Sequence, residues 1–157
     1  MFERIKAWLL DVPGRGAGHR HEEHQIAAAA LLVEAASMDG HFDPVERTTI
    51  LGLLERRFNL TREEATDLLE VGEVRQQNAN EVFKFALTAR RAFTEAERIE
   101  LVEMLWTTIL SDGEVHAYED SLMRRIVGLL HVPPVAAGEA RKRAARRLAG
   151  GGQGDEA

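Results

Sequence analysis

Three features of this chain predict an all-α fold. Its 157 residues hold only 4 prolines and 6% aromatics, while Ala, Leu, Glu and Arg, all good helix formers, recur throughout. No alternation of apolar and polar residues with period two runs long enough to read as a strand. Helix-start signatures recur instead. Thr61-Arg-Glu-Glu64 and Thr94-Glu-Ala-Glu97 are capping boxes, and Asp43-Pro44-Val45-Glu46 joins an N-cap Asp to Pro at the first helical position. Seven to eight helices joined by short turns are expected.

In chain order, Phe2, Ile5, Trp8 and Leu9 define an N-terminal amphipathic helix within residues 1–11. Residues 12–20, Val12-Pro-Gly-Arg-Gly-Ala-Gly-His-Arg20, read as a flexible Gly/Pro-rich linker. The domain proper spans 21–149. Its first helix, residues 22–38, carries small residues (Ala27, Ala30, Ala35) that let neighbours approach closely. The Asp43-Pro44 start predicts a helix to about Arg57, and the Thr61 box one to about Val71. Residues 79–92 place Val82, Phe83, Phe85, Ala86 and Ala89 at helical spacing. The Thr94 box predicts a helix to about Ser111, residues 117–130 form another, and Pro133-Pro134 opens a last one to about Ala149. Residues 150–157, Gly-rich, read as a disordered tail.

Composition narrows the function. The chain has no Cys, which excludes a disulfide scaffold and thiolate metal sites. A net charge of −6 argues against a protein coated in basic residues for nucleic acid. No apolar run reaches the roughly 18 residues that span a bilayer, and Met1 to Leu10 carries charges without a small-residue cleavage site, unlike a signal peptide. A cytoplasmic globular domain is expected.

Two segments align without a gap: Ser37-Met-Asp39-Gly40-His-Phe42-Asp-Pro-Val45-Glu46, and Leu110-Ser-Asp112-Gly113-Glu-Val115-His-Ala-Tyr118-Glu119. Both read Asp-Gly-x-Φ-x-x-Φ-Glu, with Φ apolar, and a further apolar residue, Ile50 or Met123, stands eleven positions after the Asp. One chance match to the looser Asp-Gly-x-Φ-x-x-x-Glu is expected about once in thirty chains of this composition. Two in matched helix–turn–helix contexts are far rarer, so the domain reads as two pseudo-repeated helical halves.

The spacing is also that of the back half of an EF-hand calcium loop. The front half is missing: Ala35 and Ser37 in one copy, Thr108 and Leu110 in the other, stand where the first two acidic ligands belong. Neither copy completes a site alone. Capping accounts for part of the pattern, with Gly40 and Gly113 past a helix end and Glu46 and Glu119 where capping boxes place Glu. The Asp residues fit capping less well, since an Asp in the last turn opposes the helix dipole by about 0.3–1 kcal/mol. If the hairpins face each other, Asp39, Glu46, Asp112 and Glu119 converge, and four carboxylates together require a divalent ion or protons. Oxygen ligands suit Ca²⁺, Mg²⁺ or Mn²⁺.

These residues resemble the TerB family. A helix ending Ala35-Ala-Ser-Met-Asp39-Gly40 and running on to Glu46, and a second unit Thr108-Ile-Leu-Ser-Asp112-Gly113 through Glu119, carry the likeness over residues 21–148. TerB is named for bacterial tellurite resistance, and its fold recurs beside J-domains in membrane-tethered co-chaperones. The resemblance implies an all-α domain of two related halves, a metal-binding role for the acidic pairs, no catalytic activity, and a place in chemical-stress responses alongside membrane proteins and calcium-binding partners.

Other signals rank lower. His19, His21 and His24 lack metalloprotease spacing and read as a solvated helix start. No phosphate loop, Glu-x-x-His motif or nucleophile–His–acid arrangement occurs, so no enzyme is expected. Arg141, Lys142, Arg143, Arg146 and Arg147 cluster in the last helix. They read as complements to its dipole rather than as a nucleic-acid surface. The expected function is divalent-cation binding coupled to a protein partner, with the N-terminal helix available to a partner or a membrane surface. The alternative is a metal-free interaction adaptor, or a co-chaperone-type module, in which the same residues are helix caps.

Overall fold

The computed structural model describes residues 21–37, 42–77, 82–111 and 117–154, with side chains to 150. The described residues form seven helices: α1 (Glu23–Ala36), α2 (Pro44–Phe58), α3 (Arg62–Gln77), α4 (Val82–Ala92), α5 (Glu95–Leu110), α6 (Ala117–Leu129) and α7 (Pro134–Gly154). No strand occurs among the described residues. The N-terminal amphipathic helix and linker lie outside them, as do Asp39 and Asp112.

The predicted helix starts form through local hydrogen bonds. Asp43 Oδ1 accepts from the Glu46 N–H at 2.9 Å, and Thr61 and Thr94 cap α3 and α5 in reciprocal boxes with Glu64 and Glu97. Helices α2 and α6 both end on a left-handed residue, Asn59 and His131 (φ 55° and 56°). In each case the next N–H reaches back five residues, Leu60 to Glu55 and Val132 to Val127, closing a Schellman-type turn.

Helix α1 is apolar around most of its circumference, and Ile26 through Val33 are all buried. A helix of that composition belongs at the centre of a domain. Helices α2 to α6 all contact it, α3 and α4 most extensively. Its alanines allow close approach, as at Gly72. A Cβ on Gly72 would lie 2.9 Å from the Ala29 Cβ and 3.1 Å from the α1 backbone. This explains why α3 runs on to Gln77 rather than ending at Val71. Gly72 is a packing glycine inside the helix, not a stop signal. The last helix likewise extends to Gly154, beyond the end expected at Ala149.

The sequence repeat is larger in three dimensions than in the motif. The same offset that carries Asp39 to Asp112 lays α1 on α5, α2 on α6 and α3 on α7, to within a few residues at each end. The pairing of α1 with α3 is matched by that of α5 with α7, and α4 joins the halves. Two contacts break the correspondence: α1 packs on α2, whereas α5 makes little contact with α6. Helix α2 lies along α3, whereas α6 and α7 diverge from their shared turn and barely touch.

Candidate functional site

Of the four candidate ligands, the structure describes Glu46 and Glu119, in the first turns of the equivalent helices α2 and α6. Both are buried, at 1% and 2% exposure. The apolar residue just before each is exposed instead, Val45 at 55% and Tyr118 at 40%. Burial is thus inverted relative to polarity at the same place in both halves.

Local bonding explains part of this. Glu46 Oε1 accepts from the Asp43 N–H at 3.3 Å, completing the cap of α2. The comparable glutamates of α3 and α5, Glu64 and Glu97, perform that role while remaining in contact with water. Capping alone therefore does not call for burial. The hydrophobic residues eleven positions after each Asp, Ile50 and Met123, sit in the core as the repeat predicts. Among the described residues, no group of three or more His, Asp or Glu is placed to hold a metal ion.

A second acidic group went unnoticed in the sequence. Glu103, on α5, has a side chain 10% exposed, and two arginines of α7 grip it: Arg143 Nε lies 2.8 Å from Oε1 and Arg147 Nη2 2.8 Å from Oε2. The signal was present as a lone acid within Leu101-Val-Glu103-Met-Leu105. Arg141, two residues before Arg143, pairs with Asp120 at 3.2 Å and stands over the Trp106 ring at 4.1 Å. Much of the basic cluster thus fastens α7 to its neighbours, rather than simply complementing the helix dipole.

The histidines also differ from expectation. His24 meets the rings of Phe93 (5.3 Å) and Phe58 (6.0 Å) edge-on, and His21 is buried. His24 belongs to an aromatic cluster at the base of α1, which Arg57 covers by lying over both phenylalanines. His21 and His24 thus do not form a solvated helix start, and His19 lies outside the described residues.

This arrangement defines a class: an all-α domain of two related three-helix halves, each carrying a buried glutamate at the head of its second helix. The family model described as tellurite resistance protein TerB matches residues 25–142, and the chain belongs to the TerB family. A crystal structure of a protein of unknown function from Porphyromonas gingivalis W83 is similar over 80% of this chain and 90% of that one. The TM-score is 0.58 at 17% identity, so that likeness speaks for the fold alone. No curated protein matches the chain. No helix of the described residues is long and apolar enough to cross a membrane.

Proposed function

We propose that this TerB domain is a non-enzymatic cytoplasmic module that binds one divalent cation through Asp39, Glu46, Asp112 and Glu119. Its role is to couple ion or metal stress, of the kind tellurite resistance names, to a protein partner. The observation that carries this reading is the matched burial of Glu46 and Glu119 beside exposed Val45 and Tyr118. Withdrawing a carboxylate from water is unfavourable by several kcal/mol unless charge or hydrogen bonds compensate. A cation shared between the halves adds to the contacts these glutamates already make, with the two Asp-Gly turns bringing the remaining oxygens. All-oxygen ligation favours Ca²⁺, Mg²⁺ or Mn²⁺ over Zn²⁺. Binding neutralises the carboxylates and holds the two hairpins in register, so the cation state controls the interface between halves.

A second reading has its own support in the Asp43–Glu46 capping box. There the domain is a metal-free adaptor or co-chaperone-type module, and the acidic residues serve the helix ends. Thermal unfolding of chelator-stripped protein titrated with Ca²⁺, Mg²⁺, Mn²⁺ and Zn²⁺ separates the two. A cation that binds only the folded state adds about 2.7 kcal/mol at a hundredfold excess over Kd. A saturable rise with one ion, lost in Asp39→Asn with Asp112→Asn, is expected. No rise with any ion up to millimolar concentration overturns the cation reading and leaves the adaptor.

A further inference from the structure

Between α6 and α7 lies a groove of about 670 Å³, floored by Trp106 and Met123. Its walls include Gly128 from α6 and Ala137 and Gly138 from α7. The first half of the domain is closed at the equivalent place. There α2 lies on α3, and Ala65, the counterpart of Gly138, is fully buried. The fold's own repeat therefore shows how this space is closed when the domain closes it, and the second half leaves it open.

The two glycines point the same way. Glycine inside a helix is less stable than alanine, so its presence asks for a reason. Gly72 has one in the backbone of α1. A Cβ on Gly128 or Gly138 would meet no atom within 4 Å, so nothing in the described domain requires either to be bare. Bare glycines on both walls of an apolar groove admit the close approach of another backbone.

We propose that the occupant is the chain's own N-terminal segment, residues 1–11, seated between α6 and α7. Its stripe of Phe2, Ile5, Trp8 and Leu9 matches an apolar floor, and both partners carry mixed charge: Glu3, Arg4 and Lys6 on the segment, Asp120, Arg124 and Arg141 along the groove. The geometry of the tether fits. His24, near the start of α1, lies 5.3 Å from Phe93, ring to ring. Arg90, one turn before Phe93 on α4, reaches His131 at the groove mouth, Nη1 to Nε2 at 3.0 Å. Residues 12–20 span up to about 30 Å when extended, enough to cross that path.

The chain has 2 tryptophans, one on each side of the proposed contact. In full-length Trp106→Phe, Trp8 is the sole indole, and its quenching by acrylamide reads the seating directly. The expected result is quenching several-fold weaker than in the denaturant-unfolded chain, at every protein concentration. Gly128→Leu with Gly138→Leu fills the groove while far-UV circular dichroism reports an intact fold, and quenching rises to the unfolded level. Ile5→Asp with Leu9→Asp, which leaves the domain untouched, gives the same rise and serves if the leucine variant does not fold. If Trp106→Phe does not fold, the Trp8 resonance of the fluorotryptophan-labelled parent reports the same changes. Free quenching of Trp8 in Trp106→Phe, matched by a solvent-exposed Trp8 resonance in the fluorotryptophan-labelled parent, overturns the proposal, as does protection that survives both double variants. Protection that fades on dilution assigns the groove to a second copy, and protection only with anionic vesicles assigns the segment to a membrane; either also overturns it.

Discussion

Gly72→Ala tests whether α1 and α3 are in contact at the distance described. Two effects of opposite sign compete. In a helix interior, alanine is favoured over glycine by about 0.8–1 kcal/mol, so a position with room gains stability. At Gly72 the new methyl would lie 2.9 Å from the Ala29 Cβ and 3.1 Å from both the Ala29 carbonyl carbon and the Ala30 nitrogen. Two of those three atoms are backbone of the central helix and cannot rotate away. Overpacking of this kind costs about 1–3 kcal/mol, and rigid neighbours put this site in the upper part of that range. The net expectation is a loss of about 1–2 kcal/mol, or about 2–8 °C in Tm for a domain of this size. Gly52→Ala is the control. Its Cβ would meet only the mobile guanidinium end of Arg56, at 3.4 Å, so propensity alone predicts a rise of about 2–4 °C. Urea unfolding of both variants beside the parent decides the matter. A Gly72→Ala protein as stable as Gly52→Ala refutes the close approach of α1 and α3.

Further expectations concern charge. Glu103→Gln leaves Arg143 and Arg147 without their carboxylate, and because both arginines are partly exposed the loss is about 1–2 kcal/mol rather than that of a fully buried pair. Chemical unfolding at low and high salt measures it, and a deficit that does not shrink with salt refutes an ionic origin. Glu97 is held below its usual 4.5, first by the hydrogen bond from the Thr94 backbone and further by Arg57. A depressed folded value means this stabilisation is complete above 4.5 and is lost as pH falls through the folded value. Tm recorded from pH 7 to pH 3 therefore falls less steeply in Glu97→Gln than in the parent; parallel curves refute the assignment.

Helix starts were legible because they rest on bonds between residues three apart, and the boxes at Asp43, Thr61 and Thr94 all form. The end predicted at Val71 failed because Gly72 looks the same locally whether it stops a helix or admits α1. Only the tertiary partner, Ala29, distinguishes them. The repeat was readable in its turns but not in its third helices. Helix α3 is acidic, with Glu63, Glu64, Asp67, Glu70 and Glu73, whereas α7 carries five cations between Arg141 and Arg147. Position survives there while chemistry has reversed, so no residue match reveals the pair. At the candidate site, the motif located Glu46 and Glu119 but not their burial. Capping fixes what a side chain bonds to in its own turn, while burial depends on what the rest of the fold lays over it. Glu103 was hidden for a related reason: its arginines come from 40 residues onward.

The enclosure of α1 has a mechanical consequence. Residues 1–20 join the domain at the foot of this central helix, beside buried His21. Tension on that tether is delivered to the axle of the molecule rather than to a peripheral strut. To yield there, α1 must be sheared from five neighbouring helices together. Helix α7 rests chiefly on α5, and a pull on its C-terminal end opens a single seam, one turn after another. A domain loaded between the start of α1 and the end of α7 therefore gives way at the C-terminal helix first, while the half nearest α1 keeps its shape.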